Sequence, residues 1–200
     1  MKKKPRFYIA LSFPCALVVM AGCERAALEA GSGDAAPSAQ EITRVIAQGE
    51  AAATALMERL GAQLKGALES GGPVAAITVC QQVALPLTAA AGSEFEGVTI
   101  KRTTLNPRNP ANAPDETDRA VLMEMSAQSP PQPAIRWEDG VAHYYRPLIV
   151  QEVCLKCHGD PATFPKELSA ALAAAYPADE ATGYALGDLR GAIRATINAP

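Results

Sequence analysis

Two cysteines and a histidine form the densest group of reactive side chains in the sequence. Cys154 and Cys157 are three residues apart, and His158 follows the second cysteine directly. This spacing is typical of c-type haem attachment, in which both thiols bond to haem vinyl groups and the histidine becomes an axial iron ligand. With five cysteines and two histidines in 200 residues, chance would rarely produce the pattern. A single such motif predicts one covalent haem c.

Two other chemistries fit a Cys-x-x-Cys pair less well. A structural zinc site normally uses four Cys or His ligands in two pairs, and the sequence offers no second pair. A thioredoxin-like redox pair belongs near a βαβ unit, which the order of predicted elements lacks. Haem attachment is therefore the favoured interpretation.

The N-terminus, residues 1–22, predicts an export signal. Four Lys or Arg side chains precede a mostly apolar run over residues 7–20, which is too short to span a membrane as a mature helix. Cys23 follows Met-Ala-Gly and resembles the lipidated cysteine of a bacterial lipobox; an ordinary signal peptide with an incidental cysteine is the alternative. Glu24 at the next position resembles outer-membrane sorting. We expect a lipid-anchored protein on the periplasmic side of a membrane, and the outer membrane is the favoured location.

Charge and composition set the partners and the domain count. Without the signal, 14 basic and 21 acidic residues remain, a net charge of −7, which disfavours nucleic-acid binding. Residues 23–40 are rich in Ala, Gly and Ser and predict a flexible tether. Residues 41–200 suffice for one domain with one core. Export also agrees with c-type haem attachment, which is expected outside the cytoplasm.

Helical patterns dominate the first half of this domain. Apolar residues at three- and four-residue spacings predict a helix over residues 41–68, ended by Ser-Gly-Gly-Pro at residues 70–73. A second helix is predicted over residues 74–90, and its apolar stripe includes Ile77 and Cys80. Cys80 is the cysteine left without a role after signal removal, lipidation and haem attachment. It is either a small buried apolar residue or a thiolate ligand of iron.

Strand patterns dominate the second half. Residues 97–104 alternate as a strand, and a Pro- and Asn-rich loop over residues 106–114 leads into a third helix. Chain segments rich in β-formers flank residues 138–140 and predict a hairpin. A short helix over residues 166–175 and a closing strand over residues 191–197 follow. Helices first and strands later, without βαβ alternation, predict an α+β fold with an antiparallel sheet.

Several short segments beyond the haem motif resemble one family of small c-type haem domains. This family has a PAS-like fold and is often attached to sensory kinases and chemoreceptors. The resemblance extends over about residues 41–197. The segments that carry it are residues 76–80, 102–105, 108–112, 144–148, 154–159, 176–177, 183–184 and 187–191.

The resemblance implies a PAS-like antiparallel sheet with long N-terminal helices. It also implies that iron lies between His158 and a cysteine thiolate, and Cys80 occupies the matching position. The sensory association carries over only weakly, because no kinase, receptor or cyclase pattern follows in the sequence.

Six other residues are candidate parts of the same site. His143 is the other histidine and an alternative iron ligand. Met123 and Met125 would give the Met/His coordination of ordinary cytochromes, although methionines on an amphipathic helix usually belong to the core. Arginine matches a carboxylate with two parallel hydrogen bonds, so three arginines are candidates to pair with the haem propionates. These are Arg102, Arg108 and Arg190.

The sequence favours a binding protein over an enzyme. A haem with both axial positions filled suits electron transfer or redox sensing, with another protein as redox partner. A gas sensor for O2, NO or CO would need an exchangeable ligand, and it is the second hypothesis. A peroxidase-like enzyme would need an open distal site with acid–base groups, for which the sequence has no convincing second histidine motif, so it is the third.

Overall fold

The computed structural model describes residues 36–198. Its first element is helix α1, Ala39–Thr78, which begins at a capping box: the Ser38 hydroxyl accepts a hydrogen bond from the Glu41 amide at 3.2 Å. The helix therefore starts two residues before the predicted position. The expected export signal and Cys23 lie outside the described residues.

The predicted break after residue 68 is confirmed as a reversal inside α1. Gly71 and Gly72 have non-helical backbone angles, and the φ of +67° at Gly72 favours glycine. Leu56 before the break and Ala91 after it lie in one core cluster. A straight helix would place them about 50 Å apart, at about 1.5 Å per residue. The chain therefore folds back on itself as a helical hairpin.

The second arm of this hairpin carries Cys80. After Thr78 the helix widens into a π-helical turn, Val79–Val83, and continues as α2, Ala84–Gly92. The whole segment Ala39–Gly92 has a window of mean hydropathy 1.6, which is long and apolar enough for a membrane span by composition alone. Only 28% of this apolar window is buried.

A four-stranded antiparallel sheet forms the centre of the domain. The strands are β1 Val98–Thr103, β2 Ala134–Glu138, β3 Val141–Ile149 and β4 Leu189–Asn198, in the order β1-β4-β3-β2. The β2–β3 turn contains only Asp139 and Gly140, both with positive φ, as two-residue hairpin loops require. The predicted α+β class with an antiparallel sheet is confirmed.

The two faces of the sheet are covered by different helices. Tyr144 faces α1, where a Cβ at Gly49 would lie 2.3 Å from the Tyr144 Cδ1, so only glycine fits. Tyr145, the next residue, packs with Val121 and Leu122 of α3, Glu116–Ser126, on the opposite face. Alternation along β3 thus divides the core into two layers.

Two short helices complete the domain. Helix α4, Leu155–His158, follows a 3-10 turn at Glu152–Cys154 and carries the end of the haem motif. Helix α5, Lys166–Ala175, has the predicted bounds. Its Leu168 and Leu172 pack against Ile77 beyond the hairpin reversal. The motif is therefore held near the helical hairpin.

Candidate functional site

An apolar cleft lies between the helical hairpin, the end of β3 and α4. Its volume is about 270 Å³, and part of it is open to solvent. Leu64 and Ile77 line it from the two arms of the hairpin, and Leu148 lines it from β3. Six residues singled out in the sequence also line this cleft: Cys80, Cys154, Cys157, His158, Arg108 and Arg190. The fold thus brings Cys80 to the motif.

Backbone hydrogen bonds fix the shape of the motif. The Cys154 amide donates to the Gln151 carbonyl at 2.9 Å and opens the turn before α4. Gly159 ends the helix, and a Cβ there would lie 2.6 Å from the Leu155 carbonyl oxygen. The Tyr184 amide then donates to the His158 carbonyl at 3.0 Å. The segment around residue 184 thus holds the end of the motif in place.

The imidazole of His158 is prepared to bind a metal through one nitrogen. Its Nδ1 lies 2.6 Å from the Ala181 carbonyl oxygen, which can only accept, so Nδ1 carries the proton. Burial, and then the charges of Arg108 and Arg190, lower the pKa of His158 to about 3. The ring is therefore neutral at neutral pH and leaves its Nε2 lone pair free.

Cys80 lies where opposing effects act on a thiol. Burial raises the pKa of Cys80, whereas the positive charges of Arg108, Arg102 and Arg190 lower it. The residue belongs to the π-helical turn, and such turns are frequent at functional sites. Cys80 is a free thiol, as are Cys154 and Cys157.

Arg108 is buried and already engaged by the protein. Its exposed fraction is 7%, and its Nε donates to Asp179 Oδ2 at 2.9 Å. Its Nη2 donates to the Cys157 carbonyl at 2.6 Å. These contacts hold the guanidinium against the backbone of the motif, and Arg108 also lines the cleft.

Arg102 and Arg190 are placed differently. The Nε of Arg102 is buried without a hydrogen-bond partner among the described residues. Arg190 donates to Thr104 Oγ1 at 2.8 Å and lies over the Tyr184 ring, 5.3 Å from its centroid. Within residues 36–198, neither arginine forms an ion pair with a carboxylate. Both line a smaller pocket that also includes His158, at the edge of the cleft.

This arrangement fits a haem on the chemistry of its donors. Arg102 and Arg190 are half-buried and have no carboxylate partner among the described residues, so they favour an anionic group at this edge of the cleft. A haem has carboxylates at one edge and an apolar remainder, and the cleft is apolar beyond the arginines. One imidazole nitrogen and one thiol sulfur would supply axial ligands.

The alternative ligands lie elsewhere. His143 on β3 contacts Thr196 Oγ1 at 3.0 Å and does not line the cleft. Met125 is buried in the α3 core, and Met123 is 59% exposed. Among residues 36–198, no three His, Cys, Asp or Glu side chains cluster to hold a metal ion.

Sequence reasoning missed two residues of this site, Asp179 and Ala181. Ala181 acts through its backbone carbonyl, so its side chain gives no signal. Asp179 belongs to an irregular segment without a motif, and its partner Arg108 is 71 residues away in the sequence. Only the fold brings these groups to His158.

Comparison with known proteins agrees with this geometry. The structure is similar to the crystal structure of the cyanobacterial haem protein Tll0287, with a TM-score of 0.57 and 26% sequence identity over 82% of this chain and 98% of that chain. No curated protein is a match in sequence. The family model described as Tll0287-like matches residues 32–198. Because this match covers most of the chain, the protein belongs to the Tll0287-like family.

Proposed function

We propose that the domain binds one haem c covalently and acts in electron transfer or redox sensing. The observation that carries the proposal is the convergence of Cys80 and the Cys154–His158 motif on one apolar cleft edged by the half-buried Arg102 and Arg190. Similarity to the cyanobacterial haem protein supports it.

The residues of the cleft have separate roles in this proposal. Cys154 and Cys157 form the thioether bonds, and His158 Nε2 and Cys80 Sγ bind the iron. When bound, the haem supplies a one-electron couple between ferric and ferrous iron. The Ala181 carbonyl keeps the proton on His158 Nδ1 and so fixes which nitrogen faces the metal.

The surroundings of these ligands support redox chemistry rather than catalysis. The lining of the cleft is mostly apolar, and an iron held by both His158 and Cys80 would offer no coordination position to a substrate. Arg102 and Arg190 are the candidates to pair with the haem carboxylates, since neither pairs with a carboxylate of the described residues.

Gas sensing is the second candidate function. It requires that one ligand leaves the iron, and the π-helical turn at Val79–Val83 favours this for Cys80, because the turn departs from regular helical hydrogen bonding. Carbon monoxide binding by the reduced wild-type protein would favour the second function over the first.

We also propose that the domain works at a membrane surface. The predicted lipid at Cys23 and the predicted tether would keep the domain on the periplasmic side of a membrane, within reach of a redox partner protein. The outer membrane is the favoured location.

The experiment that tests haem attachment is expression with the haem-c maturation machinery. The wild-type chain is expected to hold one haem that resists acid-acetone extraction, measured as the pyridine haemochrome. The double variant Cys154→Ala, Cys157→Ala is expected to lose it, whereas Cys80→Ser keeps it as a matched cysteine control. Covalent haem in the double variant would refute the attachment site.

A further inference from the structure

The loop after α5 reaches His158 through a chain of short contacts. Asp179 Oδ1 accepts a hydrogen bond from the Ala181 amide at 2.8 Å. The carbonyl of the same residue, Ala181, accepts from His158 Nδ1 at 2.6 Å. Ala181 is fully buried, so water does not compete for this carbonyl. The position of Asp179 therefore fixes the acceptor of the imidazole.

Arg108 ties this loop to the haem motif from the other side. Its Nε donates to Asp179 Oδ2 at 2.9 Å, and its Nη2 donates to the Cys157 carbonyl at 2.6 Å. The same Nη2 lies 3.4 Å from the Ala181 carbonyl oxygen. The Asp179 side chain is 13% exposed and that of Arg108 is 8% exposed, so solvent screens this ion pair little.

We propose that Arg108 and Asp179 are positioning residues that orient the His158 imidazole and set its donor strength toward iron. The proposal rests on the proposed haem binding and goes beyond it, because neither side chain is a ligand or a covalent attachment point. Both act through backbone groups: the Ala181 amide and carbonyl, and the Cys157 carbonyl. In metal sites generally, such partners of a ligating histidine fix its ring orientation and raise its basicity.

The charges of the pair give the direction of the effect. Asp179 compensates the Arg108 guanidinium, which otherwise draws the Ala181 carbonyl electrons away from His158. Without the carboxylate, the hydrogen bond at Nδ1 weakens and the imidazole donates less electron density. An uncompensated positive charge also disfavours the more positive ferric iron. Both effects favour the ferrous state, so the reduction potential rises.

Asp179→Asn tests this in the haem-loaded protein. We expect a shift of about tenfold in the equilibrium between ferric and ferrous iron toward the ferrous form, which is about 59 mV for one electron. The matched control is Glu180→Gln, which removes the same charge from the next, exposed residue. Potential is measured by redox titration, and electron paramagnetic resonance reports the imidazole orientation. An equal shift in the control would assign the effect to bulk charge and overturn the positioning role.

Arg108→Lys provides a second variant in case Asp179→Asn does not fold. Lysine keeps the charge but has one nitrogen in place of the separate Nε and Nη2 donors that hold Asp179 and the Cys157 carbonyl, so we expect altered or broadened ferric g values with unchanged haem content. Spectra and potentials identical to wild type in the variants that fold, each with one covalent haem, would refute the positioning role alone. A wild-type chain without covalent haem would instead contradict the proposed function, since haem content is measured separately.

Discussion

Cys80 is the residue whose chemistry depends most on its neighbours. Burial opposes its ionisation, while three arginine charges favour the thiolate. A neutral thiol is a poor ligand, and a thiolate is a strong one. The arginines thus lower the cost of forming the ionised ligand in an apolar cleft.

Replacing Cys80 with serine tests this role. A thiolate stabilises ferric iron, so Cys80→Ser is expected to raise the reduction potential, remove the low-spin thiolate signal from the ferric electron paramagnetic resonance spectrum and let carbon monoxide bind the reduced iron. Haem content is expected to stay at one per chain. A ferric spectrum indistinguishable from wild type would make Cys80 an ordinary core residue.

Arg102 is expected to have opposite effects on the stability of the haem-free and the haem-loaded protein. Its buried Nε has no partner among the described residues, so Arg102→Met should leave the haem-free protein equally or more stable. In the haem-loaded protein the same change removes a partner of a carboxylate and should destabilise by about 1–3 kcal/mol. Urea unfolding of both forms measures this. Equal destabilisation of both would show that Arg102 serves packing alone.

The functional role of a single residue could be predicted from the sequence when its partners lie close to it along the chain. Cys154, Cys157 and His158 were recognisable because their chemistry requires only local spacing. The role proposed for Cys80 as a ligand comes from the resemblance, since nothing local separates a ligand from a core cysteine. Arg102 and Arg108 look alike in the sequence, and only Asp179, far along the chain, distinguishes them.

Among the elements, the helical hairpin does most to build the cleft. Because of the reversal, Leu64 and Leu68 from the first arm and Ile77 and Cys80 from the second arm line the same cleft. The sequence predicted the break from Ser-Gly-Gly-Pro, because glycine and proline act locally. It could not predict the π-helical turn, whose backbone pattern has no residue signature here.

Gly72 is the backbone position on which this reversal depends. Its φ of +67° is unfavourable for any residue with a side chain, so Gly72→Ala is expected to destabilise the fold by about 1–2 kcal/mol. Gly66→Ala is the matched control: no atom lies within 4 Å of its Cβ position, and a helical alanine should stabilise by about 0.5–1 kcal/mol. Urea unfolding measures both. A neutral Gly72→Ala would mean that the reversal tolerates other backbone angles.

The first turn of α3 gives the domain a defined acid response. Burial alone would raise the pKa of Asp115, but hydrogen bonds from the Asp118 amide, Lys101 and Arg194 lower it to about 2. The ordinary pKa of this side chain is 3.8, so its ionised form stabilises the fold above about pH 4. This contribution is lost as the pH falls through the lowered pKa of about 2.

Asp115→Asn measures that contribution, because asparagine keeps the helix cap but not the charge. The side chain is 46% exposed, so we expect a loss below about 1 kcal/mol at pH 7 that shrinks toward zero between about pH 4 and pH 2. Asp139→Asn, at the exposed β2–β3 turn, is the matched control for the loss of one negative charge. A pH-independent difference for Asp115→Asn would contradict the ionic origin.

For the whole molecule, the class of fold was more predictable than its topology. Alternating strand patterns and helical periodicity act locally and predicted α+β. The pairing of β1 with β4, almost 100 residues later, follows from long-range packing. The cleft arises from this topology, since it joins the hairpin, β3 and α4. The position of the cleft therefore could not be predicted from local patterns in the sequence.

A lipid at Cys23 would hold the whole molecule at a membrane surface. Cys23 follows a short apolar run and a lipobox-like Met-Ala-Gly, so it should carry lipid. Metabolic labelling with a fatty acid is expected to mark the wild type and Cys80→Ser but not Cys23→Ala, which should leave the membrane fraction. With helix α1 beginning at Ala39, the predicted tether would hold the domain within about 20–25 Å of the lipid surface. Equal labelling of Cys23→Ala and wild type would contradict the anchor while leaving haem binding by the domain unaffected.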